Sequence, residues 1–352
     1  MPLTVRNVLW WVLPTCLSML AAARPLPGQV SSAAAAVQRH GAQFDAAELA
    51  AVERGDVALR VLPTTDQRDV AVLGIVRLPA ARHEYLRRVQ DFRTWLRSPT
   101  RVALGVFSEP AVVADVAAMH VSRQDANDLR KCRAGDCTTK LPAAEIDRVR
   151  AEVDWRADDR VAQVSVLARR RLVQLVEEYR ARGNAALPIY DDRPAVRADE
   201  AFAAVLAQSG YLRQVAPSLA QYLQSFPRER PAGVADVIFW SEEAVPRLRP
   251  ILSLTHAVVY TPPELGGTTI VLSKQLYANH YFEAALESRT VIDRDVAGDT
   301  PSVYLVVERR FRFDNLPRGG ILNIRGRAVS GLRDQLLAEL RRERAMHAPE
   351  TR

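Results

Sequence analysis

The chain has 352 residues, 48% of them hydrophobic and 25% charged, a balance that excludes disordered, collagen-like and disulfide-scaffold classes. That length allows one elaborated domain or two modest ones, with a core that needs neither a metal nor a disulfide framework to fold. A net charge of +7 invites a nucleic-acid partner, but all except Lys131, Lys140 and Lys274 of the 48 basic residues are arginine, which with abundant alanine and valine suggests a GC-rich coding composition more than a basic binding face.

The first 23 residues carry one charge, Arg6, and end in Ala21-Ala22-Ala23. A positive start, a short apolar segment and a small-residue cleavage site predict a signal peptide over 1–23. The apolar run is about 16 residues and contains Pro14, short of the roughly 20 that a span requires. Export to the periplasm or beyond is the expectation, with anchoring by an uncleaved N-terminal helix as the alternative. Residues 24–45, rich in Pro, Ser and Ala, form a flexible leader.

A first part of an α+β domain is expected over 46–122. It holds a short helix stopped at Gly55, a strand over 70–76, an amphipathic helix over 82–97 and a strand over 102–107. Residues 123–232 predict an all-helical insertion, whose longest helix runs to Arg182 and stops at Gly183-Asn184. The period then returns to strand over 237–240, 251–260, 268–278, 281–292 and 302–313, with short turns that imply an antiparallel meander. A long helix over 321–345 completes this second part, 233–345, and 346–352 is a tail.

With Cys16 lost in the signal peptide, Cys132 and Cys137 remain, in Cys-Arg-Ala-Gly-Asp-Cys. An oxidising compartment favours their pairing, and Gly135 permits the tight turn. Such a loop stabilises by about 2 kcal/mol in the chain-entropy view. The spacing is not Cys-x-x-Cys, and there is no second ligand pair for zinc.

Apart from the helical block, the order of elements over 69–122 and 234–345 resembles the helix-grip fold of the START-like lipid-transfer and polyketide-cyclase superfamily. The resemblance implies a curved antiparallel sheet wrapped around the last helix, with an apolar cavity between them. It rests on element order without a specific motif, and the large insertion departs from the family pattern.

Within the strands, Lys274 and His256 each interrupt an apolar stretch, where a polar group has to be paired or reach a polar cavity. Glu308, on the strand centred on Val306, is a candidate partner for Lys274, and Tyr277 stands close by in sequence. His256, Lys274, Tyr277 and Glu308 are therefore the candidate ligand-binding residues. The competing assignment makes His256 a hydrogen-bonded core residue and Lys274 a solvent-facing one. His280-x-x-Glu283 lacks a second histidine pair, so no metal is expected. Pro317-Arg318-Gly319-Gly320 with Arg325 and Arg327 suits a strand-to-helix turn better than an anion cradle. No G-x-S-x-G, G-x-x-x-x-G-K-[ST] or H-E-x-x-H motif occurs, and no cofactor is implied.

The expected function is an exported protein that holds an apolar or amphipathic small molecule between sheet and C-terminal helix. The alternatives are a cyclase- or hydrolase-like enzyme using His256 or His280 as base, and a structural or interaction protein of the envelope. Scattered arginines favour anionic envelope surfaces over nucleic acid. Titrated without reductant after purification from an oxidising compartment, the chain should show no free thiol at Cys132 or Cys137; two reactive thiols would contradict the pairing.

Overall fold

The computed structural model describes residues 44–96, 98–192, 194–246, 248–294, 300–316 and 323–347. The expected signal peptide, nearly all of the expected leader and the expected Pro317–Gly320 turn lie outside the described residues. The described residues open with α1 (Ala46–Glu53), entered through an Asp45–Glu48 capping box, then β1 (Ala58–Leu62) and β2 (Asp69–Leu78). Two helices, α2 (Arg82–Gln90) and α3 (Phe92–Trp95), divide at Asp91 the single helix that the apolar spacing predicts; the Asp91 carboxylate takes the Thr94 N–H and caps a new start. β3 (Arg101–Val106) follows.

The middle third is mostly helical: α4 (Arg123–Leu129), α5 (Ala143–Glu152) and α6 (Arg160–Arg182) come first. A small hairpin of β4 (Ile189–Tyr190) and β5 (Val196–Arg197) leads to α7 (Ala198–Gln208), α8 (Gly210–Val215) and α9 (Pro217–Ser225). Pro217 sits in the first turn of α9 and splits it from α8, since it has no N–H to continue the preceding helix. The meander is β6 (Ala235–Glu243), β7 (Ile251–Tyr260), β8 (Thr268–Ala278), β9 (Phe282–Asp293) and β10 (Val303–Phe313), and the last helix is α10 (Ile324–His347).

The main strands form one open antiparallel sheet of eight, in the order β1-β2-β10-β9-β8-β7-β6-β3. Alternation along each strand sorts side chains to two faces, and both are covered. On one face Leu73, Ile75, Ile270, Leu272, Leu286 and Val306 pack with α7, α8 and α9 through Phe202, Leu212 and Leu219. On the other, Val72, Val76, Val271, Val291, Leu305 and Val307 pack with Leu336 and Leu340 of α10 and Tyr85 and Val89 of α2. At Gly74 α10 comes close to the sheet: a Cβ there would come within 2.6 Å of Leu340 Cδ1 and 2.7 Å of Leu59 Cδ2.

Charge fills the space beneath α10. Arg289 on β9 and Arg309 on β10, each about 8% exposed, share the carboxylates of Glu287 and Glu339. Arg289 Nε donates to Glu287 at 2.6 Å, Arg309 Nη2 donates to Glu339 at 2.7 Å, and Glu343 stands 3.7 Å from Arg289. Each guanidinium thus has the charge partners that its burial demands. Although burial alone would raise the two carboxyls, the arginines beside them hold both Glu287 and Glu339 below the usual carboxylate range.

A depressed carboxyl contributes stability that is fully present above its unfolded value, about 4.3, and is lost as pH falls toward the folded value. Glu339→Gln should therefore cost about 3 kcal/mol in urea unfolding at pH 7. The gap to the parent should narrow as the buffer is taken below about pH 4. A substitution without effect at pH 7 would show that the cluster does not hold α10 to the sheet.

Candidate functional site

The face under the helical block carries the polar residues that interrupt the strands. His256 on β7 stands opposite Lys274 on β8 and Ile238 on β6, and both polar side chains are fully buried. They meet through Tyr179 of α6, a residue of the long helix's apolar stripe. Lys274 Nζ donates to the Tyr179 hydroxyl at 3.2 Å, to the Leu223 carbonyl at 3.1 Å and to Asn184 Oδ1. Its ammonium also lies 4.3 Å from the Phe202 ring centroid.

The Tyr179 hydroxyl is 3.0 Å from His256 Nδ1, and His256 Nε2 is 2.8 Å from Asp236 Oδ1. Hydrogen-bond logic assigns the proton to Nε2, so that His256 donates to Asp236 and accepts from Tyr179. Asp236 also receives the Tyr222 hydroxyl and Arg230, each at 3.0 Å. Burial pushes the Lys274 amine well below its ordinary value and lowers His256 too, the latter opposed by Asp236.

Asn184 reaches Lys274 because α6 ends at Gly183, whose φ is +60° and where a Cβ would fall 1.6 Å from the Phe226 carbonyl. Only glycine fits that ending. Among the described residues every polar atom of the relay from Lys274 to Asp236 is engaged, and the relay ties α6 and α9 to the sheet. Tyr179→Phe should leave His256 Nδ1 without its donor and lower stability by about 1–3 kcal/mol in chemical denaturation. An unchanged midpoint would contradict that role.

The other expected residues lie elsewhere. Glu308 is not the partner of Lys274: β9 separates their strands, and Glu308 takes Ser209 Oγ at 3.0 Å and the Arg310 guanidinium. His280 is engaged by the Thr138 carbonyl at 2.9 Å and by Asp125 at 3.1 Å, and Glu283 by Arg68 at 2.9 Å. Arg325 donates to the Gln67 and Asp69 carbonyls, so it ties α10 to the turn before β2. Cys132 and Cys137 sit at disulfide distance, 2.07 Å.

Tyr277 belongs to a cleft. The N-terminal half of α6 packs with α4 and α5 in a small separate core of Ala126, Leu129, Ile146, Val149, Val164 and Leu167. Its C-terminal half packs on the sheet through Leu172, Leu175 and Tyr179 against Trp240, Leu254 and Leu276. Where the two cores meet, a cleft of about 100 Å³ remains between α4, α5, α6 and the ends of β6, β7 and β8. Leu141, Val164, Leu172 and Leu252 supply apolar wall, while Asp125, Thr139, Glu145, Glu242 and Tyr277 supply polar atoms.

Thr139 is 6% exposed, and its hydroxyl has no hydrogen-bond partner among the described residues. Burial raises the Glu242 carboxyl above its ordinary value, with Asp125 adding to the rise and His120 opposing it. Sequence reasoning missed this group of residues. Its one visible signal is the Glu242-Glu243 doublet at the end of an apolar strand, where alternation sends one carboxylate to each face. No protein-family model matches the chain, and no curated protein matches it in sequence.

Proposed function

We propose that the chain is an exported binding protein that takes a small apolar or amphipathic molecule into the cleft between α4, α5, α6 and the sheet. The observation that carries the proposal is the cleft itself, an apolar hollow with a few converging polar atoms, which is the usual composition of a small-molecule site. Its volume, about 100 Å³, is smaller than the roughly 150 Å³ of an apolar cavity that encloses benzene, so it sets one ring or a short acyl end as the upper limit. The space under α10, where the family resemblance put the ligand, is taken up by the Arg289–Arg309–Glu287–Glu339 cluster.

Export is supported by the N-terminal pattern and by the cysteine pair at disulfide distance. A helix-grip reading of the fold is supported by the strand order from β2 through β10 to β3 and by the C-terminal helix. Fold alone does not carry function, so the ligand has to be argued from the cleft. Attraction to an anionic envelope surface is a further part of the reading, supported by Arg327, Arg333, Arg341 and Arg342 on the exposed side of α10.

Native mass spectrometry of protein purified from its own envelope should find a small ligand or show saturable uptake from a panel of small apolar compounds. A ligand at a hundred times its Kd should add about 2.7 kcal/mol of stability. Ala168→Phe, which fills the cleft from α6, should abolish that gain while the chain still folds. A parent protein that takes up nothing, or an Ala168→Phe variant that binds as well as the parent, would overturn the assignment.

A further inference from the structure

We infer that the cleft is selective for a small amphipathic amine, with Glu242 as the counter-ion of its ammonium group. The inference rests on the binding reading above and adds the chemical class of the ligand.

Three carboxylates reach the cleft wall, and two are neutralised by the protein. Asp125 receives Arg249 at 3.2 Å and His280 at 3.1 Å. Glu145 is paired with Arg171 at 3.1 Å and Arg148 at 3.7 Å. Glu242 differs: among the described residues it has neither a cation within 4.0 Å nor a hydrogen bond to its side chain. Its strand neighbour Glu243 points the other way and pairs with Arg101 at 2.6 Å.

Pairing of β6 with β7 sets Glu242 opposite Leu252, so the unpaired carboxylate stands on apolar wall. His120 is the nearby basic side chain, and its Nδ1 faces the Arg169 guanidinium at 3.1 Å. His120 is exposed and does not come within 4.0 Å of the Glu242 carboxylate among the described residues. The Glu242 carboxylate therefore has no ion-pair partner among the described residues.

A carboxylate half removed from water without a partner is costly, and an incoming ammonium cancels that cost. Arg148 and Arg171 also line the cleft, but both are engaged by Glu145 and by Glu152 or Glu178. Two further groups support a polar end: the Thr139 hydroxyl is unpartnered, and the Tyr277 hydroxyl donates no hydrogen bond to a described residue. Both residues are more than nine-tenths buried and line the cleft. Their oxygens accept N–H donors, while the leucine and valine walls take the apolar part. The volume limits that part to about one ring or a short alkyl chain.

Benzylamine, benzyl alcohol and benzoate share a ring and a size and differ in charge at neutral pH, which makes them the probes. Calorimetric titration into the purified chain should give benzylamine about tenfold tighter binding than benzyl alcohol, with benzoate weakest. Glu242→Gln, checked for an unchanged melting curve without ligand, should bring benzylamine to the level of benzyl alcohol and leave benzyl alcohol unaffected. Equal binding of amine and alcohol by the parent, or a preference that survives Glu242→Gln, would overturn the amine assignment while the binding reading stands. If none of the three binds the parent, the binding reading fails and the amine assignment falls with it.

Discussion

A sheet buried on both faces has to find a partner for every ionisable side chain on its inner strands, and this requirement organises the protein. Strands β2 and β7 to β10 are covered by α10 and α2 on one side and by the helical block on the other. Arg289 and Arg309 on the α10 side are met by Glu287 from the sheet and Glu339 from the helix. Lys274 and His256 on the opposite side are met by Tyr179, Asn184 and Asp236. Each cluster costs desolvation and recovers it through geometry, so each fixes the helices it touches in position more than it adds net stability. Glu242, at the end of β6, is the departure from this pattern, and it opens onto the cleft.

The cleft follows from the length of α6. Its 23 residues span two cores in turn. The first half gathers α4, α5 and the Cys132–Cys137 loop, and the second half seals the sheet around Trp240 and Tyr277. Val121 and Leu141 touch both cores without closing the space between them. A hollow formed in this way is walled by three helices, three strand ends and the loops that join them.

Much of the α+β architecture is legible in the sequence because β-branched runs mark the strands. The expected ranges 251–260 and 268–278 coincide with β7 and β8. β1 is missed because Ala58–Leu62 is a short edge strand with Arg60 at its centre and no alternation. That Lys274 and His256 interrupt apolar stretches is visible in a single chain. What binds them is not, because Tyr179 lies 95 residues before Lys274 and Asp236 contributes from the next strand. Strands apolar on both sides also hide which helix covers which face, so Lys274 is linked with Glu308 and the helix-grip resemblance alone sets the ligand beside α10. The cleft depends on contacts between α4, α5 and three strand ends, none of them local in sequence.

The central claim is that the ligand site lies on the helical-block face of the sheet. Crystals soaked with bromobenzene test this directly, through the anomalous signal of the bromine. A peak between Leu172 and Leu252, within reach of Glu242 and Tyr277, is the predicted result. A peak between the sheet and α10, or no peak in the cleft, would contradict the account.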